Sequence, residues 1–422
     1  MLKKHVLSAA IAAVVGGALS APAAAQVSIN GGVQGRFGHL SRDGDTTQIG
    51  AAGEPVEYGN GGTSIDGLFV LFINATKDLK GGYNAGFNCV TVATTVDGAN
   101  AGFTGEAIPI KHDWDKFFAG NDNWSQSQGG FSSYGDVQGD SKGVLCNDEV
   151  SGFLLTPFGK FAAGHIMNPL RNLYDTFTVN PVWANQRGYY QMADVRGNAL
   201  RYSNDVGPFA LEVQLNTASD AKAPEPGSKR GYALTGVVTY DFGNGFGVGA
   251  GYMGAKGDFV NKYVTAQTPN EHTAFGLAAK GRVGPVTLGY TYMGGKNTPS
   301  PDFASTYGRD FIKEYDHTVK VGYDIGQWNF QGFVQKEYFA ASTGQWGGMY
   351  HDNRFGNTTP AFGSVKIDRT RFDLWALYDM GKDVKTYLRL DTIQKKWTSP
   401  ELASFSATMR STKLEGGWLI NF

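Results

Sequence analysis

The feature that most constrains this chain is the alternation of short and long connections between its predicted strands. Segments of about ten residues with a two-residue hydrophobic period recur along the chain. Tight connections such as Pro157–Gly159 alternate with long ones such as residues 97–147. Every second connection of an antiparallel sheet lies at the same edge, so this rhythm predicts one rim of turns and one rim of loops. A barrel that spans a membrane has this form, whereas a soluble sandwich gives no reason to segregate loops by length.

The alternation of apolar and polar side chains is clearest in the first and the last predicted strand. In residues 27–37 apolar side chains occupy one face and polar side chains the other: Val27, Ile29, Val33 and Phe37 against Ser28, Asn30, Gln34 and Arg36. Residues 413–422 repeat the pattern, with Leu414, Gly416, Trp418, Ile420 and Phe422 on one face. Sixteen strands are predicted in all, the others near 64–76, 83–96, 148–157, 159–167, 197–204, 208–217, 228–241, 245–255, 272–283, 285–294, 315–325, 328–340, 366–380 and 383–395.

Composition excludes several other classes. Aromatic residues make up 13% of the chain and charged residues 18%, which is unlike a disordered chain. Coiled coils are poor in glycine, so the 59 glycines of this chain exclude that class. No stretch of about 20 apolar residues predicts a membrane helix. The low content of charged residues is expected for a barrel wall with one face toward lipid. Trp and Tyr near the strand ends are expected at the boundary between membrane and water. Aromatic residues are, however, enriched in β-sheets generally.

The N-terminus predicts export. Residues 1–25 have the form of a signal peptide: Lys3 and Lys4, an apolar run from Val6 to Leu19, and small residues before Gln26. A buried N-terminal helix is the alternative. The expected mature domain, residues 26–422, carries 35 Lys and Arg against 38 Asp and Glu, a balance that excludes a typical nucleic-acid binder. An oxidising compartment allows Cys89 and Cys146 to pair, but the sequence leaves the pairing open.

Three stretches and the C-terminus resemble the general bacterial outer-membrane porins, which are trimeric 16-stranded barrels. The stretches are residues 151–167 followed by Leu173-Tyr174-Asp175, residues 196–202 with Gly207-Pro208-Phe209, and the hairpins at 232–252 and 274–292. Phe422 resembles the terminal signature that the barrel-assembly machinery recognises. The resemblance implies an all-β, transmembrane antiparallel barrel of 16 strands in the outer membrane of a Gram-negative bacterium.

The resemblance also implies a third loop, near residues 168–195, that folds into the barrel and narrows it. Opposed charges at such a constriction would order water and solutes and set ion preference. Asp175 and Asp194 are the expected loop acids, and Arg36 and Arg201 the expected wall bases. His165 stands where the family has arginine. Because histidine is only partly charged near neutral pH, it would make the wall less positive than arginine does. The alternative is that all of these are ordinary solvated charges.

Partners and activity follow from the same resemblance. The long second connection would latch over a neighbouring subunit of a homotrimer, and a disulfide between Cys89 and Cys146 could tether its base. Outer-membrane lipid and lipopolysaccharide, the assembly machinery and small hydrophilic solutes are the other expected partners. The expected function is a water-filled channel for passive diffusion. A substrate-preferring porin for a sugar or an anion is the nearest alternative, with Trp183, Tyr189 and Tyr190 as candidate path residues.

Enzymatic readings have little support in the sequence. Asp241-Phe242-Gly243 imitates a kinase motif but lies in a predicted hairpin turn. The sequence contains no HExxH zinc motif. No catalytic residue, metal or cofactor is therefore expected, and an adhesin or a barrel enzyme is the more distant alternative.

Overall fold

The computed structural model describes residues 26–47, 62–94, 146, 149–178, 196–217, 232–256, 269–299, 309–343, 364–398 and 406–422. These residues form sixteen strands and one helix, α1 (Pro169–Thr178), which follows β5. The strands are β1 (Gln26–Thr47), β2 (Gly62–Lys80), β3 (Tyr83–Thr94), β4 (Glu149–Thr156), β5 (Gly159–Met167), β6 (Arg196–Val206), β7 (Phe209–Thr217), β8 (Tyr232–Gly243), β9 (Phe246–Lys256), β10 (Pro269–Val283), β11 (Val286–Pro299), β12 (Arg309–Ile325), β13 (Trp328–Thr343), β14 (Ser364–Gly381), β15 (Val384–Thr398) and β16 (Ser406–Asn421). In this described part no helix has the length and apolar character to cross a membrane.

The strands close into one antiparallel barrel. Each strand pairs with its neighbours in the chain, and β1 pairs with β16 from Gly32 opposite Asn421 onward. Phe422 extends this seam, because its backbone amide and carbonyl both bond to Gly31, each at 3.0 Å. Closure leaves no open sheet edge, as the hydrocarbon of a bilayer requires. The predicted sixteen-stranded barrel is confirmed.

The two faces of the sheet are inverted relative to a soluble protein. On β1, Val27 is 60% exposed, while Gln34 and Arg36 on the alternate positions are buried. On β16, Leu414 and Trp418 are exposed and Glu415 is buried. Apolar side chains therefore point outward and polar ones inward, the arrangement of a transmembrane barrel. The faces predicted for both strands are confirmed.

The short connections are tight turns built by aspartate and glycine. Between β8 and β9, Asp241 Oδ1 accepts a hydrogen bond from the Gly243 amide at 2.8 Å, and Asn244 has a φ of 55°. The same bond recurs between β14 and β15, from the Gly381 amide to Asp379 Oδ1 at 2.8 Å. Short polar side chains and glycine accept the left-handed backbone that such turns need. The Asp-Phe-Gly motif is thus part of a turn.

Several strands extend beyond their predicted ends on the side of the long connections. β1 continues to Thr47, ten residues past the predicted end at 37, and β16 begins at Ser406 rather than at 413. The predicted boundaries followed the alternation of apolar and polar residues. Backbone pairing continues where both faces are polar, so hydrophobic period alone ends the strand too early.

The two cysteines form a disulfide between β3 and the end of the second long connection. The Cys89 and Cys146 Cα atoms are 4.8 Å apart, and the Cys146 amide donates to Thr91 Oγ1 at 2.8 Å. The bond closes a loop of 57 residues. The pairing that the residues left open therefore exists, and it fixes the base of that connection to the barrel wall.

Candidate functional site

The inward-turning segment begins with a capped helix. Asn168 precedes α1, and its side-chain oxygen accepts a hydrogen bond from the Leu170 amide at 2.9 Å. Pro169 occupies the first helical position, where the missing amide proton has no cost. The Asn168 side-chain amide donates to Thr235 Oγ1 on β8 at 2.9 Å. One residue thus starts the helix and holds its first turn against the inner face of the wall.

One face of α1 packs on a part of the wall that is lined by glycine. Its apolar side chains recur at helical spacing and are almost fully buried: Leu170, Leu173, Tyr174 and Phe177. A Cβ atom at Gly251 of β9 would lie 2.7 Å from Leu170 Cδ2. A Cβ atom at Gly289 of β11 would lie 2.6 Å from the Phe177 carbonyl oxygen. Glycine at these positions lets the helix backbone approach the sheet closely.

Tyr174 connects the helix to the far side of this wall. Its hydroxyl lies 3.3 Å from Thr318 Oγ1 on β12 and accepts from Gln335 Nε2 on β13 at 3.3 Å. The helix therefore contacts the inner wall from β7 to β12 and is also bonded to β13. The described part of the segment thus lies against the inner face of the wall, and the expectation that residues 168–195 narrow the lumen stays a prediction.

The predicted loop acids have different outcomes. Asp175 lies on α1, and its carboxylate forms an ion pair with Arg171 Nε at 3.2 Å. The Arg171 side chain is 3% exposed and the Asp175 side chain 31%, so Asp175 is partly accessible although its Oδ1 atom is buried. Asp194 lies outside the described residues. The role of both in a constriction stays a prediction.

The predicted wall base Arg201 lies where the chain leaves the wall. Its Nη2 donates to the Met167 carbonyl at the end of β5, and its Nε donates to Gln214 Oε1 on β7 at 2.7 Å. A third contact joins it to Glu212 at 3.4 Å. Arg201 therefore holds the point at which β5 turns inward toward α1.

Arg36 and His165 occupy opposite faces of the wall. Arg36 is buried on the inner face of β1, where it lies opposite Gly417 of β16. His165 pairs with Val150 and Asn198 in regular register, so strand alternation places it on the face opposite to the buried Ala162. The structure thus does not bring His165 to the lumen, and the expectation that it weakens the pore wall's charge is corrected.

An inner-wall charge ladder on β14 and β15 is a feature that the sequence reasoning missed. Arg371 binds Asp391 through two bonds of 2.9 Å. Arg389 binds Asp373 through Nε at 2.9 Å and Nη2 at 2.7 Å. Arg389 also reaches Asp391 at 3.1 Å. Two-pronged arginine–carboxylate pairs fix both side chains in orientation.

The ladder continues onto β16 and reaches β1. Lys413 Nζ lies 2.8 Å from Glu415, which accepts from the Tyr387 hydroxyl at 2.7 Å. Gln34 of β1 donates to that hydroxyl at 2.6 Å. The ladder joins three cations to three carboxylates, all buried: Arg371, Arg389, Lys413, Asp373, Asp391 and Glu415. The sequence does contain a signal for the ladder. Charged residues recur at every second position of the predicted strands 366–380 and 383–395, so they share one face of the sheet.

Lys280 of β10 is a second missed residue. It is exposed on the inner face, with Nζ 5.2 Å from the centre of the Phe177 ring in the last turn of α1. In contrast to the ladder, it offers a charge to the water of the lumen. The exposed Lys280 and the partly exposed Asp175 therefore carry charges of opposite sign at α1.

Comparisons with known proteins agree with this architecture. In the solved structures, the anion-selective porin from Comamonas acidovorans aligns with a TM-score of 0.55 at 13% identity, covering 94% of this chain and 100% of that chain. A loop L8 deletion mutant of OmpT, an outer membrane protein of Vibrio cholerae, aligns with a TM-score of 0.55 at 11% identity and the same coverage. At such identities these likenesses show the fold alone.

A search of curated proteins finds no match. A family model described as Gram-negative porin matches residues 8–396, nearly the whole chain. The match agrees with the inverted faces, the closed barrel and the polar interior, and it places the protein in the outer membrane. The chain belongs to the Gram-negative porin family.

Proposed function

We propose that the protein is a water-filled channel through which small hydrophilic solutes and ions diffuse passively across the outer membrane. The observation that carries the proposal is the seating of α1 on the inner face of a closed barrel whose interior is polar. A helix in that position narrows the path and selects by size and charge. Family membership and fold favour a channel over an enzyme, and the proposed activity includes no catalysis.

At the constriction we propose opposed charges from α1 and the wall. Asp175 supplies the helix-borne carboxylate and Lys280 a cation next to the last turn. Arg36 and Arg201 add positive charge to the inner wall from β1 and β6. Such charges across a narrow aqueous path orient polar solutes and bias ion flow. The candidate sugar-path residues Trp183, Tyr189 and Tyr190 lie outside the described residues, so no observation favours a sugar channel.

Planar-bilayer recording tests the proposal. The purified, folded barrel should give stepwise, ohmic conductance, because a water-filled path has no gating step in its conduction. We also propose a homotrimer, so steps should group in threes. Folding is checked by the heat-dependent migration of barrels in gel electrophoresis. A correctly folded protein that gives no conductance would contradict the channel, while single steps would contradict only the trimer.

A further inference from the structure

The first residues of β1 extend beyond the seam of the barrel. The β16 side of the seam ends at Phe422, whose backbone exchanges two hydrogen bonds of 3.0 Å with Gly31 of β1. Residues 26–30 therefore pair with β2 alone, from Gln26 opposite Thr76 onward. These residues are all exposed. They form a free corner of the barrel rim, at the end where the short turns lie.

The sequence predicts that a new N-terminus is created at this corner. Residues 1–25, which lie outside the described part of the chain, have the form of a signal peptide, and Ala23-Ala24-Ala25 is its predicted cleavage site. Cleavage after Ala25 makes Gln26 the N-terminal residue, and Gln26 is also the first residue of β1. The new α-amine would thus lie at the start of a strand, next to an exposed side-chain amide.

An ammonium group at Gln26 would lie too far from the terminal carboxylate of the chain to pair with it. That carboxylate is fixed at Gly31, whose amide donates to a Phe422 oxygen at 3.0 Å. From Gly31 back to Gln26, β1 advances about 16 Å. This distance exceeds the screening length of about 8 Å at physiological salt. The two termini therefore contribute almost nothing to each other's stability as charges.

The neighbouring strand gives no reason to keep a positive charge at this corner. Lys77 and Asp78 follow Thr76 on β2, and Lys80 ends that strand. An ammonium group at Gln26 would bring the corner to three positive charges against one negative charge. Loss of the ammonium charge would bring it closer to neutrality.

From this arrangement we infer that the mature protein carries a pyroglutamate at position 26. An α-amine titrates near neutral pH, so part of it is unprotonated and nucleophilic. Its nitrogen attacks Cδ of the Gln26 side chain, the N–Cδ bond forms, the Cδ–Nε2 bond breaks, and ammonia leaves with the proton that the amine gives up. The reaction needs no oxidant, reductant or further reactant.

The lactam ring changes the charge of the terminus but not its place in the sheet. It removes the positive charge, as other modifications of an N-terminal amine do. It keeps one N–H group, so β1 retains a backbone donor at its first residue. The exposed corner then offers no free amine to an aminopeptidase. This inference rests on the predicted cleavage after Ala25 and is independent of the channel function.

Peptide mass spectrometry of the folded protein, expressed with residues 1–25 and purified from outer membranes, tests the inference. Free amines are first dimethylated on the intact protein, which captures any uncyclised Gln26 and prevents it from cyclising during digestion. Trypsin should then release residues 26–36 without a label on the α-amine. The mass of this peptide should be lower than that of its encoded sequence by one ammonia molecule, in nearly all molecules.

The variant Gln26→Ser is the matched control, because serine at the same exposed position has no side-chain amide to attack. Its peptide 26–36 should carry a dimethylated α-amine. A dimethylated α-amine on Gln26 of the wild type would overturn the inference, and so would a terminus at any other residue. The first result would leave the cleavage in place and exclude the ring, whereas the second would place the cleavage elsewhere. The wild type and Gln26→Ser should have the same conductance.

Discussion

At the scale of single residues, accessibility separates the inner charges that solutes meet from those they do not. Asp175 is partly exposed on α1, and Lys280 is exposed on β10 beside it. A permeating ion within 4–8 Å of either charge in water gains or loses about 0.5–1 kcal/mol. Because removing a charge affects anions and cations in opposite directions, the two changes add, so Asp175→Asn should raise the anion-to-cation permeability ratio about five- to thirtyfold, and Lys280→Gln should lower it by a similar factor.

Reversal potentials in a salt gradient measure both effects. Asn keeps an oxygen that can accept from Arg171, so the helix should stay in place in Asp175→Asn. Asp205→Asn at the exposed end of β6 is the matched control and should leave the ratio unchanged. If Asp175→Asn and Asp205→Asn give the same reversal potential as the wild type, Asp175 does not act at the constriction.

At the scale of elements, the seat of α1 depends on glycine at the wall. A Cβ atom at Gly289 would lie 2.6 Å from the Phe177 carbonyl oxygen, which belongs to the helix backbone and cannot rotate away. Gly289→Ala should therefore push the last turn of α1 off the wall. We expect a loss of about 1–3 kcal/mol in the free energy of unfolding, as for other overpacked sites. Single-channel conductance should change with it, because the proposed channel is narrowed by this helix.

Gly236→Ala is the control for this element. No atom lies within 4 Å of the Cβ position at Gly236, so the variant adds the same methyl group without a clash. Denaturant unfolding in lipid vesicles gives the stability of both variants, and bilayer recording gives their conductance. A Gly289→Ala protein with the conductance and stability of Gly236→Ala would show that α1 does not rest closely on β11.

The strands could be predicted from the sequence, but α1 and the ladder were not. Strand faces follow from a two-residue period because each strand meets lipid on one side and polar groups on the other. The segment from 168 to 195 was expected only as a loop, although Asn168-Pro169 and the spacing of Leu170, Leu173 and Phe177 are helix signals. The ladder pairs Arg371 with Asp391 across two strands, and such partners depend on register, which the sequence does not state.

At the scale of the whole molecule, the ladder forms a neutral, buried lining that joins the last strands to β1 near the barrel seam. Removing one member leaves its partner's charge buried, which costs about 3–5 kcal/mol in comparable sites. Asp391→Asn leaves three ladder cations against two ladder carboxylates, although Arg371 still lies 3.7 Å from the Asp373 carboxylate. We therefore expect Asp391→Asn to lower the free energy of unfolding by about 3–5 kcal/mol.

Charge balance, rather than the individual contact, should decide the size of this loss. Arg371→Met combined with Asp391→Asn leaves two cations and two carboxylates, so the double variant should be more stable than Asp391→Asn alone by about 0.5–3 kcal/mol, the usual range of coupling between touching residues. Asp324→Asn is the control, since Asp324 pairs with Arg282 at an exposed site and should cost at most about 1 kcal/mol. Denaturant unfolding in vesicles measures all three. A double variant less stable than Asp391→Asn would mean that Arg371 stabilises the wall by packing and not by balancing charge.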